Sequence, residues 1–354
     1  MGELRKYAAT ARNVLIIIAV VLLLISCTRL QDDSNTEPEI IIEKPQPTRS
    51  VTWYTSFPQI FSERFANAFT SKTGIDVEIV RNSTFIVRDL LMSGIENGST
   101  EADVLSIADI GTFIELKNRG LLMQYDSIYY KDYPDQHKDP GYWAMSAAFG
   151  ICMAYDESKI TDPPKHWTDL LDEKWQGRIG LEDIDTAGSQ YCEYYILREL
   201  LGKEFWKKLL STQKPKIYYR TEELANALLD GDIDIAGEFS IYTVYDFRVK
   251  RGTSLKGIYP EEGIPFVPTP VAIMKDAKHI EEAKIFFDFF LSREGQELMQ
   301  QLTYEYSVRE DVLPLQEKPP LDVLNILSPQ NPNDYLEKRD EYIKEFDGLL
   351  MGDG

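Results

Sequence analysis

The sequence predicts an α/β fold with two units, each a mainly parallel sheet covered by helices. From residue 51 onward, short apolar segments typical of strands alternate with segments of helical spacing, an order that produces parallel sheets. This order breaks near residues 125–165 and resumes after Pro163 and Pro164. About 300 residues follow the amino-terminal leader and linker, and this length suits two domains of ordinary size.

The chain opens with a leader. Residues 14–25 are almost wholly apolar, and three basic residues precede them: Arg5, Lys6 and Arg12. A basic start, a short apolar core and a small residue at the end are typical of a secretory signal. Residues 24–27 resemble a bacterial lipobox, in which the signal is cut before the cysteine and the cysteine is lipidated. We therefore expect residues 1–26 to be a lipoprotein signal peptide, with an uncleaved anchor helix as the alternative.

Lipid on Cys27 would tether the chain outside the cytoplasmic membrane, in the periplasm or on the outer face. Residues 27–50 are rich in acidic residues and proline, and no aromatic residue occurs there. Such a segment is typical of a flexible linker.

The first unit contains three predicted strand–helix pairs. Short apolar runs predict strands at residues 51–54, 76–80 and 103–107. Apolar residues then recur at helical spacing in each following segment, as in Ile60, Phe61, Phe65 and Phe69; in Leu90, Leu91 and Ile95; and in Phe113 and Leu116. Gly74 and Gly120 stand where helix carboxyl ends are expected.

The second unit repeats this order. Strands are predicted at residues 177–181, 216–219 and 233–236, and helices at residues 188–201 and 221–229. Thr221 is a candidate N-cap of the second helix, which would turn Leu224 and Leu228 inward.

A third stretch begins with a turn at residues 259–265 and an extended apolar segment at residues 266–274. A helix is predicted at residues 280–291, and another begins at residues 292–299. The first of these helices carries four apolar residues on one side: Ala283, Phe286, Phe287 and Phe290.

This stretch resembles bacterial extracellular solute-binding proteins of ABC importers, in the branch that binds ferric iron, phosphonates, sugar phosphates, thiamine or polyamines. That branch carries a Pro-Glu-Glu-Gly-x-Pro turn, a strand ending near Val-Ala-Ile, and a Ser-x-Glu-Gly-Gln-Glu-Leu segment. These motifs occur here at residues 260–265, 271–273 and 292–298. Weaker matches lie at residues 51–54, 72–77, 102–104 and 306–309.

The resemblance implies the type II periplasmic binding-protein fold, in which two Rossmann-like α/β lobes are joined by a hinge. Lobe 1 would comprise residues 51–155 plus 264–350, and lobe 2 residues 156–263. The hinge strands would be residues 149–155 and 266–273. A ligand would bind in the cleft between the lobes and close it by a hinge motion. The implied protein is a monomer that delivers a small solute to an ABC permease and its ATPase, without a cofactor and without enzymatic activity.

Candidate ligand-binding residues in lobe 1 follow two strands. Tyr54, Thr55 and Ser56 end the first predicted strand and lead into a helix, and Asp109 follows the third strand. Open parallel sheets bind ligands at such strand ends, and helix amino termini offer free N–H groups to anions. The alternative for Thr55, Ser56 and Asp109 is helix N-capping.

In lobe 2, Thr186, Gly188 and Ser189 precede a helix. In the resembling family a Ser/Thr-Gly loop at this place faces the cleft and holds the anionic group of the ligand. A glycine permits close approach of the backbone. The alternative is a plain capped helix start.

Glu238, Tyr242 and Tyr245 follow the last strand of lobe 2. Iron-binding members carry two adjacent tyrosines here as metal ligands, but in this chain only Tyr245 matches. Their carboxylate ligand after the third strand is replaced by Ala108, with Asp109 beside it, and their histidine in the first loop is also missing. The known iron site is therefore mostly not reproduced, and a metal role is open only for Tyr245. The alternative for both tyrosines is helix packing.

The helix starts favour a small anionic organic solute of the organophosphate or phosphonate type. Asp109, Glu238 and the many tyrosines allow two alternatives, ferric iron in a rearranged site or an organic cation such as thiamine or a polyamine. A surface-tethered hydrolase is the alternative class of protein, although Gly-x-Ser-x-Gly and His-Glu-x-x-His motifs are absent from the sequence.

Charge and cysteines add two limits. The formal net charge of -20 argues against binding to nucleic acid, because phosphate contacts need Lys and Arg. Cys152 and Cys192 lack metal-ligand spacing. They could pair in an oxidising compartment, but two buried free thiols are favoured, since cysteine is often buried as a small apolar residue.

Overall fold

The computed structural model describes residues 49–98, 100–184, 188–329 and 331–352. The chain divides into two units, Met1–Gln46 and Pro47–Gly354, and the second is described below. The predicted signal peptide, Cys27 and most of the linker lie outside the described residues. Among the helices that are described, none has the length and apolar character needed to cross a membrane.

Lobe 1 is built on a parallel sheet whose strands lie in the order β2-β1-β3. Its strands are β1 (Ser50–Thr55), β2 (Asp76–Arg81) and β3 (Val104–Ser106). Its first helices are α1 (Gln59–Thr73), α2 (Thr84–Glu96) and α3 (Ile110–Asn118). Helix α1 forms because Phe61, Phe65 and Phe69 share one face and are buried, and it ends at Gly74, whose positive φ of 70° suits glycine.

Two long antiparallel strands join the lobes. They are β5 (Trp143–Asp156) and β10 (Ile264–Ile273), and the short strand β4 (Lys138–Asp139) pairs with the start of β5. Strand β5 pairs with β10 as far as Gly150 and with lobe 2 from Ile151 onward. A Cβ atom at Gly150 would lie 2.6 Å from Ile264 Cδ1 and 2.7 Å from Ile241 Cδ1, so the change of partners occurs at a glycine that two isoleucine side chains pack closely. These strands occupy the predicted hinge.

Lobe 2 holds a second sheet that continues from β5 in the order β8-β6-β7. Its strands are β6 (Ile179–Glu182), β7 (Lys216–Tyr218), β8 (Ile235–Ser240) and β9 (Leu255–Ile258), the last pairing with β5. Its helices are α4 (Gly188–Leu201), α5 (Lys203–Lys208), α6 (Thr221–Asp230) and α7 (Ile241–Tyr245). Thr221 is the first residue of α6 rather than its N-cap, which is Arg220. Cys152 and Cys192 are buried free thiols, in agreement with the favoured interpretation.

The carboxyl-terminal part of the chain packs against both lobes. It contains α8 (Ile280–Leu291), α9 (Arg293–Thr303), β11 (Ile326–Leu327), α10 (Pro332–Glu337) and α11 (Arg339–Met351). Helix α8 packs on lobe 1, where the rings of Phe286 and Phe290 lie 5.4 and 5.3 Å from Trp53.

Helix α11 packs on lobe 2 instead. The ring of Phe346 lies 5.2 Å from Tyr194 of α4 and 6.1 Å from Trp206 of α5. The expected assignment of all residues 264–350 to lobe 1 is therefore at odds with the contacts of α11. The reason is that its apolar side meets an aromatic surface on α4 and α5, which a pattern within residues 339–351 does not reveal.

Candidate functional site

The carboxyl ends of β1 and β3 lie side by side and are tied together by hydroxyl groups. Thr55 Oγ1 lies 3.2 Å from Ser106 Oγ and accepts a hydrogen bond from the backbone N–H of Phe57 at 3.1 Å. Ser56 Oγ accepts one from the backbone N–H of Ala108 at 3.1 Å. Both hydroxyls therefore hold the strand-end loops of lobe 1 in shape.

Tyr54 is buried beside these loops. Burial raises the pKa of its phenol, the negative charge of Glu101 raises it further, and Lys278 opposes the rise. The charged residues near Tyr54, Glu101 and Lys278, are therefore not the ones that surround the other candidate ligand-binding residues.

Asp109 is buried and serves as the N-cap of α3. Its Oδ2 accepts hydrogen bonds from the backbone N–H and the hydroxyl of Thr112, at 3.2 and 2.5 Å. Its Oδ1 accepts a third from the Tyr335 hydroxyl at 3.0 Å. The N-cap interpretation is thus satisfied, and the carboxylate also reaches a residue of α10.

The lobes touch at the first residue of α4. A Cβ atom at Gly188 would lie 2.7 Å from the carbonyl oxygen of Ala108 and 2.8 Å from Thr84 Cγ2. Such distances leave no room for a side chain, so lobe 2 rests directly on a strand-end loop of lobe 1. Ser189, the next residue, donates a hydrogen bond to Gln190 Oε1 at 2.7 Å. Thr186 lies outside the described residues.

Tyr335 on α10 is buried between the lobes. Its hydroxyl reaches Asp109 of lobe 1, and its carbonyl oxygen accepts a hydrogen bond from the Tyr191 hydroxyl of lobe 2 at 2.6 Å. The rings of Tyr191 and Tyr195 lie 4.8 and 5.2 Å from its own. Sequence reasoning missed this residue, although Asn331 followed by Pro332 is a helix-start signature that announces α10.

Lobe 2 contains a small cavity of about 20 Å³ lined by three carboxylates, beside the first turn of α4. Glu182 ends β6, Glu193 lies on α4, and Glu238 lies on β8, and all three are buried. Ser189, Gln190 and Tyr242 also line the cavity, as does Phe149 of hinge strand β5. The described lining residues include no lysine or arginine.

The hydrogen bonding of these carboxylates is incomplete. Glu182 Oε2 accepts a hydrogen bond from Gln190 Nε2 at 2.6 Å. Both oxygens of Glu238 and Oε1 of Glu193 are buried without a hydrogen-bond partner in the part of the chain that the structure describes. Buried polar atoms rarely remain in this condition, because their desolvation is then uncompensated.

The electrostatics follow from burial and from like charges. Burial raises the pKa of Glu238 to about 8, the Glu182 carboxylate adds to the rise, and the backbone N–H of Glu182, which lies nearby without the geometry of a hydrogen bond, opposes it. Burial raises the pKa of Glu193 well above its ordinary value, and both neighbouring carboxylates contribute. Burial likewise raises the pKa of Tyr242 to about 12. The cavity can therefore hold protons at neutral pH when nothing positive occupies it.

Comparison with known proteins identifies the family. Residues 100–326 match the family model described as bacterial extracellular solute-binding protein. The chain belongs to this family. Members of the family are solute-binding proteins of ABC importers, and relatives of this solute-binding protein are periplasmic.

Relatives of this solute-binding protein bind different ligands. The major ferric iron-binding protein of Neisseria gonorrhoeae is 26% identical over 74% of this chain and 82% of its own. A Salmonella typhi periplasmic protein assigned to 2-aminoethylphosphonate binding is 22% identical over 71% of this chain and 75% of its own. Among solved structures, iron-bound HitA from Pseudomonas aeruginosa gives a TM-score of 0.75 at 25% identity, covering 85% of this chain and 99% of its own. The two-lobed α/β fold predicted from the sequence is thereby confirmed.

Tyr245 of this solute-binding protein lies apart from the carboxylate cavity. Its ring packs 5.3 Å from that of Tyr304, and it borders a separate surface cavity with Tyr259 and Lys318. Among the described residues, no group of three or more His, Cys, Asp or Glu is placed to hold a metal ion. The structure thus brings Glu238, Tyr242 and Ser189 together around one cavity and Asp109 and Gly188 together where the lobes touch, and it leaves Tyr54 and Tyr245 outside both groups.

Proposed function

We propose that this protein is the lipid-anchored substrate-binding component of an ABC importer, which captures a small solute between its lobes and delivers it to the permease. The observation that carries the proposal is the pairing of β5, which joins lobe 1 through β10 and lobe 2 through β8 and β9. A rotation near Gly150 would move one lobe against the other without breaking the sheet of either.

Such a rotation would part Gly188 from Ala108. It would expose the strand-end loops of lobe 1 and the mouth of the carboxylate cavity beside α4. A solute bound to both surfaces would be enclosed when the lobes return, and the permease would receive the closed form. This cycle of capture and delivery requires only that the protein bind and release the solute, without any chemical change in it.

The charge of the ligand is the finer part of the proposal. The backbone N–H groups after β1, expected to serve an anion, are engaged within lobe 1: those of Ser56 and Phe57 donate to the Ser106 carbonyl oxygen and to Thr55 Oγ1, both at 3.1 Å. The cavity nearest to Ser189 is lined by carboxylates. These contacts give more support to a solute carrying a positive charge than to the purely anionic solute favoured by the sequence pattern.

Ferric iron is the second candidate, because several relatives are ferric iron-binding proteins. The placement of Tyr245 away from Glu238 and Tyr242 gives it less support in this chain. A surface-tethered hydrolase remains the alternative class, and turnover of generic ester and phosphate substrates would reveal it.

Identification of what copurifies with the protein tests the proposal. Native protein would be purified without denaturation and examined by mass spectrometry and metal analysis, and each compound found would be added to ligand-free protein. We expect one small solute to raise the melting temperature, by RT ln(1 + [L]/Kd) in free energy, or about 2.7 kcal/mol at a hundredfold excess over Kd. Turnover of that solute, or the absence of any stabilising solute, would contradict the proposal.

A further inference from the structure

The cavity lined by Glu182, Glu193 and Glu238 combines features that together specify a ligand group. We propose that it receives the primary ammonium group of the transported solute. The inference rests on the proposed function and adds to it the chemical class of the solute, an organic amine.

The first argument is the unsatisfied oxygens. Glu193 and Glu238 line the cavity, and both oxygens of Glu238 and one of Glu193 are buried and accept no hydrogen bond from the described residues. Each of these residues is at least nine-tenths buried, with exposures of 4% and 2%. A primary ammonium group has three N–H donors and no acceptor, so it matches a site that offers acceptors alone.

The second argument is size. A cavity of about 20 Å³ holds one group of the size of a water molecule, for which about 10–15 Å³ is required. An ammonium group fits this space, and a quaternary ammonium, a guanidinium or a thiazolium ring is larger. The remainder of the solute would extend past Ser189 and Gln190 toward the surface where the lobes touch.

The third argument separates an amine from a metal ion. Metal ions require several ligands that converge on one point at about 2.0–2.6 Å. No cluster of that kind is present within residues 49–98, 100–184, 188–329 and 331–352. Hydrogen bonds from an ammonium group reach acceptors at about 2.7–2.9 Å, and so they tolerate the wider spacing of carboxylates on three different elements.

The fourth argument is charge balance. The titratable groups that line the cavity come from β6, α4, β8 and α7, and they are Glu182, Glu193, Glu238 and Tyr242. Glu305 and Lys318, after α9, lie outside the lining, and Glu305 acts on Tyr242 rather than on the three carboxylates. Lys318 faces Glu305, which leaves the three cavity carboxylates without a cation. A bound ammonium would stabilise their ionised forms, so protons held by the empty cavity would leave as the amine enters.

The test compares amines with matched analogues on the full mature protein. The probes are putrescine and 2-aminoethylphosphonate, and the analogues are 1-butanol and ethylphosphonate, which lack the ammonium group. Calorimetry should show at least one amine binding roughly tenfold or more tightly than its analogue. The affinity should increase between pH 6 and pH 8, and the heat should vary with the ionisation enthalpy of the buffer because protons are released.

Substitutions of the cavity carboxylates test whether the ammonium group binds there. Glu238→Gln, and separately Glu193→Gln, should weaken amine binding by roughly tenfold while changing analogue binding by less than about twofold. Glu305→Gln is the matched control, since Glu305 is equally buried, has a pKa raised by burial to about 8, and does not line the cavity. It should leave amine binding within about twofold of the wild type.

Three outcomes overturn the inference: no response to either amine, equal affinity for amine and analogue, or unchanged amine binding in both glutamine variants. A copurifying solute without an amine would also overturn it, yet the importer proposal would stand, because that solute still binds. If no solute of any kind binds, the importer proposal itself fails.

Discussion

At the scale of single residues, the structure separates side chains that serve the fold from those left without partners. The side-chain oxygens of Thr55, Ser56 and Asp109 accept hydrogen bonds from backbone N–H groups. Only Asp109 caps a helix as the alternative interpretation expects, because the N-cap of α1 is Pro58 and no side-chain hydrogen bond caps that helix. Glu193 and Glu238 differ, because they are buried with oxygens that accept nothing from the described residues. A buried carboxylate whose oxygens have no hydrogen-bond partner destabilises the folded protein when no ligand is bound.

The substitution Glu238→Gln should flatten the pH dependence of stability between pH 5 and pH 8. Burial raises the pKa of Glu238 from 4.5 to about 8, so the folded protein keeps a proton that the unfolded chain releases. The contribution to stability is complete below the unfolded pKa and is lost as the pH rises through the folded pKa. From pH 5 to pH 8, we expect the wild type to lose about 1–3 kcal/mol more of its free energy of unfolding than the variant.

Denaturant unfolding at both pH values measures this difference. The exposed Glu173 provides the control, and Glu173→Gln should follow the wild type at each pH. Parallel curves for wild type and Glu238→Gln would show that Glu238 does not titrate in this range.

At the scale of elements, α10 and α11 extend the fold beyond what the lobes need. Helix α10 has only six residues, too few to be stable alone, and its place depends on Tyr335. Helix α11 covers α4 and α5 through Tyr342 and Phe346. Through these contacts, the two helices hold lobe 2 against the surface of lobe 1 where Asp109 lies.

Substitution of Tyr335 should weaken the contact between the lobes, and the loss of stability should be larger when more of the side chain is removed. Tyr335→Phe deletes the hydrogen bond to Asp109, and we expect a loss of about 1–2 kcal/mol in the free energy of unfolding. Tyr335→Ala also deletes a fully buried ring, and we expect about 3–5 kcal/mol.

Thermal or denaturant unfolding would check both values. Tyr219→Phe is the matched control, since Tyr219 is 68% exposed and should tolerate loss of its hydroxyl with little change. If Tyr335→Ala were as stable as the wild type, α10 would not be packed between the lobes in solution.

At the scale of the whole molecule, two lobes share a hinge and meet face to face. The contact of Gly188 with Ala108 has no spare volume, and it joins segments that different parts of the chain supply. Closure therefore depends on a position where a side chain cannot be accommodated.

Gly188→Val should hold the lobes apart. Its side chain would require the space of the Ala108 carbonyl, which is backbone and cannot move aside cheaply. We expect a larger radius of gyration by small-angle scattering, and solute binding weaker by roughly tenfold or more, because fewer molecules reach the closed form.

The matched control is Gly348→Ala in α11, where an added Cβ atom would meet nothing within 4 Å. That variant should keep the wild-type radius and gain about 0.5–1 kcal/mol from helix propensity. A wild-type radius and affinity in Gly188→Val would contradict closure at this contact.

Cys27→Ala should leave the protein uncleaved or mislocalised, because the predicted signal peptide ends at this cysteine and the linker begins there. Metabolic labelling with a fatty acid, followed by purification of the protein, would detect the lipid. Equal label on wild type and variant would disprove the anchor, while the uncleaved helix would remain as the alternative.

The sequence by itself determined the order of elements and much of their extent. Helices α4 and α8 span Gly188–Leu201 and Ile280–Leu291, as their apolar spacing predicts, and the crossing strands occupy the predicted hinge. These features were predictable because periodicity and capping act over a few residues along the chain. The role of Gly188 in ligand binding stays a prediction, and the structure places this residue against the Ala108 carbonyl of lobe 1.

Only the tertiary structure decided which candidates share a site. Glu193 resembles any polar position on a helix until β6 and β8 place Glu182 and Glu238 beside it, and Tyr335 meets Asp109 across 226 residues of chain. Tyr245 lies apart from the other candidate residues because α7 directs its ring toward Tyr304. Burial and charge at these points depend on neighbours that are distant in sequence, so local pattern could name the residues without predicting their partners.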